Sequence, residues 1–246
     1  MIDLSQIPAP EPLLETIAEV EAFEKTPLIE RFPYTDSYNL IKDSADRFGD
    51  KAALEFLLQG LPDEPAQTVS FAELGAQVTR TANLLNELGV TTDDAVSIIL
   101  PILPQTHFAI WGAQAAGISN PINPLLEAEH IAEIVTAANA KVVICLAQSE
   151  HSDINEKVRA ALSQCASVTT LLEVNIPGLC NPGAAELSKG NFDILDFDAS
   201  IALRDSTSLA SGRKFSGEHK AAYFHTGGTT GRPKLAQLTH GNMAFL

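Results

Sequence analysis

Between residues 36 and 174 the apolar positions follow two alternating rhythms. Continuous apolar runs of about five residues read as strands buried on both faces: Val96–Leu100, Val142–Leu146 and, with some polar interruption, Lys51–Leu58 and Thr169–Val174. Between them, apolar residues recur at helical spacing. Leu40, Ile41, Ala45 and Phe48 make one face, within a helix over Tyr38–Phe48. Phe71, Leu74, Val78, Ala82, Leu85 and Leu88 make a second, opened by Ser70 with Glu73 three residues on as a capping box and closed by Gly89. Thr106–Ala116 and Glu127–Ala138 give two more helices, the latter burying Ile131, Ile134 and Val135. Ile154, Val158, Leu162 and Cys165 give another helical face. Pro101 and Pro104 are expected to break the strand before them, and Ile118–Pro124 reads as a loop or short strand. Strands alternating with helices predict βαβ units and a parallel sheet with helices on both faces, an α/β fold.

The flanking segments read differently. Residues 1–35 carry Pro8, Pro10, Pro12, Pro27 and Pro33 around one short amphipathic helix (Leu13, Ile17, Val20, Phe23), the pattern of a leader wrapping a domain surface. Residues 175–219 are dense in turn signals. Asp193, Asp196 and Asp198 fall there, without the glycine and closing glutamate of a calcium loop, and read as a solvated acidic loop.

Composition narrows the functional classes. The chain has 246 residues, 45% of them apolar, enough for a sizeable core. Sixteen basic residues against 31 acidic ones give a net charge of −15, a poor surface for nucleic acid. A nest of backbone amides can still hold a small anion inside an acidic protein. Met1–Glu24 contains no lysine or arginine, unlike a secretory leader, and no apolar run approaches the roughly 18 residues of a membrane span. The three cysteines, Cys145, Cys165 and Cys180, form no C-x-x-C pair and read as core thiols. A cytoplasmic setting is expected. His107, His130, His151 and His219 lack metal-ligand spacing, and no metal ligand is assigned in the chain.

The chemistry concentrates near the C-terminal end. Ala221–His225 reads as a strand and opens into Thr226-Gly227-Gly228-Thr229-Thr230-Gly231-Arg232-Pro233-Lys234, after which Leu235–Leu238 resumes a strand and Thr239-His240-Gly241-Asn242 starts a helix. Glycines free the backbone so that successive N–H groups can converge on an anion. Thr226, Thr229 and Thr230 add hydroxyls, and Arg232 and Lys234 add positive charge. The lysine follows Gly231 by three residues and precedes Leu235, so this is no Walker A loop.

Tyr223–Lys234 with Leu238-Thr239-His240-Gly241-Asn242 resembles the signature loop of the adenylate-forming (AMP-binding) superfamily, in its acyl-CoA synthetase branch. Gly227 stands where serine is usual and Leu235 where glycine is usual. Thr68–Leu74, Gly117–Pro124 and Ala140–Cys145 resemble upstream segments of the same family, from residue 36 onward. The resemblance implies that residues 36–246 are the front part of the large N-terminal domain, with its C-terminal half and the small C-terminal domain absent. It implies activation of a fatty or related carboxylic acid by ATP to an acyl-adenylate and pyrophosphate, then transfer to coenzyme A, with Mg²⁺ sharing the phosphate charge. Thr226, Gly227, Gly228, Thr229, Thr230, Gly231 and Lys234 would bind the nucleotide; His240 and Asn242 would be structural, with Asn242 as a helix cap; no catalytic residue is assigned. The chain alone is expected to lack turnover, and a homodimer is left open. Two alternatives remain at this point: a non-catalytic nucleotide-binding module, and an enzyme activating aryl or amino acids.

Overall fold

The computed structural model describes residues 14–27, 30, 34–181, 192–226 and 233–245. Chain contacts divide it into two units, residues 1–34 and 35–246. The first contains helix α1 (Ile17–Glu24). Thr16 caps it in a full capping box with Glu19: the threonine hydroxyl accepts from Glu19 N–H, and the Glu19 carboxylate accepts from Thr16 N–H.

The second unit is built on a seven-stranded sheet. Its strands are β3 (Ala95–Ile99), β4 (Ile118–Pro121), β5 (Ala140–Leu146), β6 (Thr170–Val174), β7 (Asp193–Asp196), β8 (Lys220–Thr226) and β9 (Lys234–Thr239). Their spatial order is β7-β6-β5-β3-β4-β8-β9. Every neighbouring pair is parallel except β8 and β9, which form an antiparallel hairpin. A separate antiparallel pair, β1 (Ala52–Phe56) and β2 (Gln67–Ser70), precedes the sheet. The helices are α2 (Ser37–Phe48), α3 (Phe71–Glu87), α4 (Pro104–Ala116), α5 (Ala128–Ala138), α6 (Ile154–Leu162), α7 (Phe197–Ala202) and α8 (His240–Ala244). Helices α2, α3, α4 and α7 pack together, and α5 packs on α6. Right-handed crossovers place these two groups on opposite faces of the sheet. The α/β reading with a parallel sheet flanked by helices therefore holds.

The core lies where the apolar runs predict it. All five residues of β3 are buried, as are Val142 to Leu146 of β5. Both faces of these strands are covered, which is why their sequences show no alternation. Gly117 illustrates the packing at a strand entry: a Cβ there would stand 2.5 Å from the carbonyl oxygens of both Asp94 and Thr91, so only glycine fits between α4 and β4.

Four local readings are corrected. Pro104 does not merely break a strand; it occupies the first turn of α4, where its missing N–H has no intrahelical partner to lose. Ser70 caps α3 by accepting from Glu73 N–H at 3.1 Å, but the Glu73 carboxylate accepts from Gln77 Nε2 at 2.6 Å, so the reciprocal half of the box goes elsewhere along the helix. Cys165 lies beyond the end of α6 and is nevertheless buried. The acidic run at 193–198 is no loop: Asp193–Asp196 is the edge strand β7, and Asp196 caps α7 by accepting from Ala199 N–H at 2.7 Å. Leu171, Leu172 and the fully buried Phe197 draw that segment onto the sheet.

Candidate functional site

The chain runs from β3 to β4 on one side and then crosses back past β3 to β5. The connections leaving the C-terminal ends of β3 and β4 thus diverge to opposite faces, which opens a crevice at a topological switch point, where open α/β sheets take their ligands. Ile102, 84% exposed, follows β3, and Leu125, 81% exposed, follows β4. Strand β8 lies parallel to β4, with Ser119 opposite Ala222, so β8 ends on the same rim.

The hairpin brings the sequence-predicted residues to this rim. Tyr223 pairs with Gln237, Phe224 with Ala236, His225 with Leu235, and Thr226 with Lys234. Thr226 and Lys234 therefore close the ladder, and the Thr226 hydroxyl approaches the Lys234 carbonyl at 3.5 Å. Both side chains are exposed. Of the expected nucleotide-binding residues these two are placed; Gly227, Gly228, Thr229, Thr230 and Gly231 lie outside the described residues, as does Arg232. Leu235, unusual at its position, is half-buried and packs against the main core. His225 is half-buried, and its Nε2 accepts from the Asn123 N–H at 3.3 Å, tying the hairpin to the loop that leaves β4.

Below the hairpin its root is fixed. Thr239 and Asn242 form a capping box for α8, with Thr239 the cap and Asn242 its third-position partner rather than the cap itself. Gly241 N–H donates to Gly217 C=O at 2.9 Å, and a Cβ on Gly241 would come within 2.9 Å of that oxygen. His240 is fully buried, with its ring 4.5 Å from that of Phe215. Burial pulls its pKa down to about 4; Asp36 opposes that shift and His219 adds to it. Its Nδ1 lies 3.4 Å from Ser37 Oγ, while Nε2 is buried without a partner. Ser37 Oγ donates to Gln114 Oε1 at 2.7 Å, Gln114 Nε2 donates to Ser119 Oγ at 3.4 Å, and Ser119 Oγ donates to the Ala221 carbonyl at 3.3 Å. Sequence reading missed this polar string. Its only sequence signal is polar residues inside otherwise apolar runs, Gln114 in an Ala/Gly-rich helix and Ser119 in a short strand.

The cysteines are core thiols. Burial pushes the Cys145 thiol far above its ordinary range, and Cys165 and Cys180 shift the same way for the same reason. Among the described residues no group of three His, Cys, Asp or Glu side chains could hold a metal, and no helix is long and apolar enough to cross a membrane.

Known proteins resemble this chain in sequence and in fold. A family model described as "AMP-binding enzyme" matches residues 41–246. A marinolic acid–CoA ligase of Pseudoalteromonas sp. is 32% identical over 227 residues, 92% of this chain and 33% of that protein. A crotonobetaine/carnitine–CoA ligase of Salmonella paratyphi A is 28% identical over 205 residues, 82% of this chain and 36% of that protein. The chain thus spans about a third of the length of these curated relatives. A solved anthranilate CoA ligase in complex with anthranoyl-AMP superposes with a TM-score of 0.67 at 18% identity, over 88% of this chain and 36% of that one. At that identity the likeness speaks to the fold.

Proposed function

Since the chain belongs to the family of AMP-binding enzymes, we propose that residues 36–246 form the nucleotide-gripping front of an acyl-CoA synthetase. The proposed reaction joins a carboxylic acid to ATP, giving an acyl-adenylate and pyrophosphate, and then passes the acyl group to the thiol of coenzyme A with release of AMP. One observation carries the reading: the β8–β9 hairpin closes with Thr226 opposite Lys234 on the rim where β3 and β4 diverge. Thr226 and Lys234 stand on that rim, and the Gly-Gly-Thr-Thr-Gly sequence between them is by composition a collector of amide and hydroxyl donors.

Charge must be neutralised on the triphosphate as pyrophosphate leaves. The Lys234 ammonium, exposed at the hairpin mouth, supplies it beside the hydroxyl of Thr226. The described residues offer no carboxylate cluster for Mg²⁺. The acid belongs to the fatty or related carboxylic acids, and the names of the ligases similar to this chain support a CoA thioester as product.

Titration calorimetry with ATP, run beside an acid-dependent ATP–pyrophosphate exchange assay on the same chain, tests the reading. ATP binding without exchange is expected. Absence of binding refutes the site, robust exchange refutes the view that the chain alone lacks turnover, and acid-independent phosphate release would point to a hydrolase instead. A panel of acids in a pyrophosphate-release assay on an enzyme that spans the full length of its relatives then fixes the substrate.

A further inference from the structure

The buried string beneath the hairpin has a direction, and it can be read from one end. The Ala221 carbonyl can only accept, so the Ser119 hydroxyl spends its single proton there. Ser119 Oγ must then accept from Gln114, which fixes the amide of Gln114 with its NH₂ toward Ser119 and its oxygen toward Ser37. That oxygen can only accept, so the Ser37 hydroxyl spends its proton on it. Ser37 Oγ is left able only to accept from His240, 3.4 Å away.

From this, the structure assigns His240 as a positioning residue, held neutral with its proton on Nδ1, whose one permitted hydrogen-bond direction locks the root of the phosphate hairpin. The string begins on β8 at Ala221 and ends on α8 at His240, passing through β4, α4 and α2. Because β8, β9 and α8 are consecutive, it closes a circuit around the hairpin base. The unpartnered, fully buried Nε2 agrees with this: it carries a lone pair, and no acceptor faces it that would demand a proton there. The inference deepens the nucleotide-site reading and rests on it for its functional consequence. The tautomer itself stands independently of ATP.

The test has three arms on the 246-residue chain. In ¹⁵N-histidine spectra of the wild type, His240 is expected as the Nδ1–H tautomer near neutral pH; an Nε2–H tautomer or an imidazolium overturns the assignment, and this arm needs no variant. Next, His240→Asn places an N–H near the position of Nδ1, whereas His240→Gln places it near Nε2. Amide exchange at Phe224, Leu235 and Gln237 is expected to stay near wild type in the Asn variant and to quicken about tenfold in the Gln variant, the size of one lost buried hydrogen bond. Equal exchange in the two variants overturns the proposal. Gln114→Leu, cutting the string far from His240, is expected to quicken the same amides, and protection unchanged there also overturns it. Finally, ATP affinity should follow exchange, wild type and Asn together and Gln about tenfold weaker. If the wild type binds no ATP, the nucleotide-site reading fails while the first two arms still decide the tautomer.

Discussion

Acid should destabilise this protein through His240. The ring is fully buried, and burial lowers its pKa from 6.5 to about 4 against the opposing pull of Asp36. The unfolded chain therefore binds this proton before the folded chain does. Stability is complete above the unfolded value, falls as pH drops through the window from 6.5 to about 4, and levels off below it. The full shift corresponds to about 3 kcal/mol at 1.36 kcal/mol per pKa unit, and between about pH 7.5 and about pH 5 the loss is about 2 kcal/mol. Against a domain stability of roughly 5–15 kcal/mol that is a large share. Urea denaturation of the wild type and of His240→Asn at both pH values isolates the effect, because every other titrating group is common to the two proteins. The wild type should lose about 2 kcal/mol more than the variant on acidification. An identical pH dependence in both would refute a neutral, buried imidazole at this position.

Other substitutions probe other parts of the account. Gly117→Ala drives a Cβ to 2.5 Å from two backbone oxygens and should cost about 3 kcal/mol in chemical denaturation. Phe197→Ala, at a fully buried ring that holds α7 on the sheet, should cost about 4 kcal/mol by the same measurement. Lys234→Ala, at an exposed side chain, should leave the denaturation midpoint unchanged and weaken ATP binding in calorimetry by about tenfold, the value of one charge-assisted contact.

Most of the sheet was legible because its central strands are buried on both faces. A run such as Val142–Leu146 cannot be anything but interior, and the amphipathic helices between such runs dictate a parallel arrangement. The acidic segment was misread because distant partners set its fate. Asp193–Asp198 looks solvated, yet pairing with β6 and the burial of Phe197 make it strand and helix. Asp198 itself is half-buried there, with burial raising its carboxyl pKa and Gln105 donating to it at 3.3 Å. The hairpin was legible from its glycines and threonines, since those residue types act locally. Its support was not. Ser37, Gln114, Ser119 and His240 are up to 203 positions apart, and no local rule joins them. Only the folded arrangement turns four scattered polar side chains into one string with a single proton direction.

Hydrogen exchange with and without ATP locates the nucleotide most directly. Protection should concentrate at Phe224 to Thr226, at Lys234 and Leu235, and at Asn123, whose N–H meets His225 at the hairpin mouth. Protection that appears elsewhere, for instance in the cleft between Gln148 and Asn181, with the hairpin unaffected, would contradict the assignment of residues 226–234 as the phosphate site.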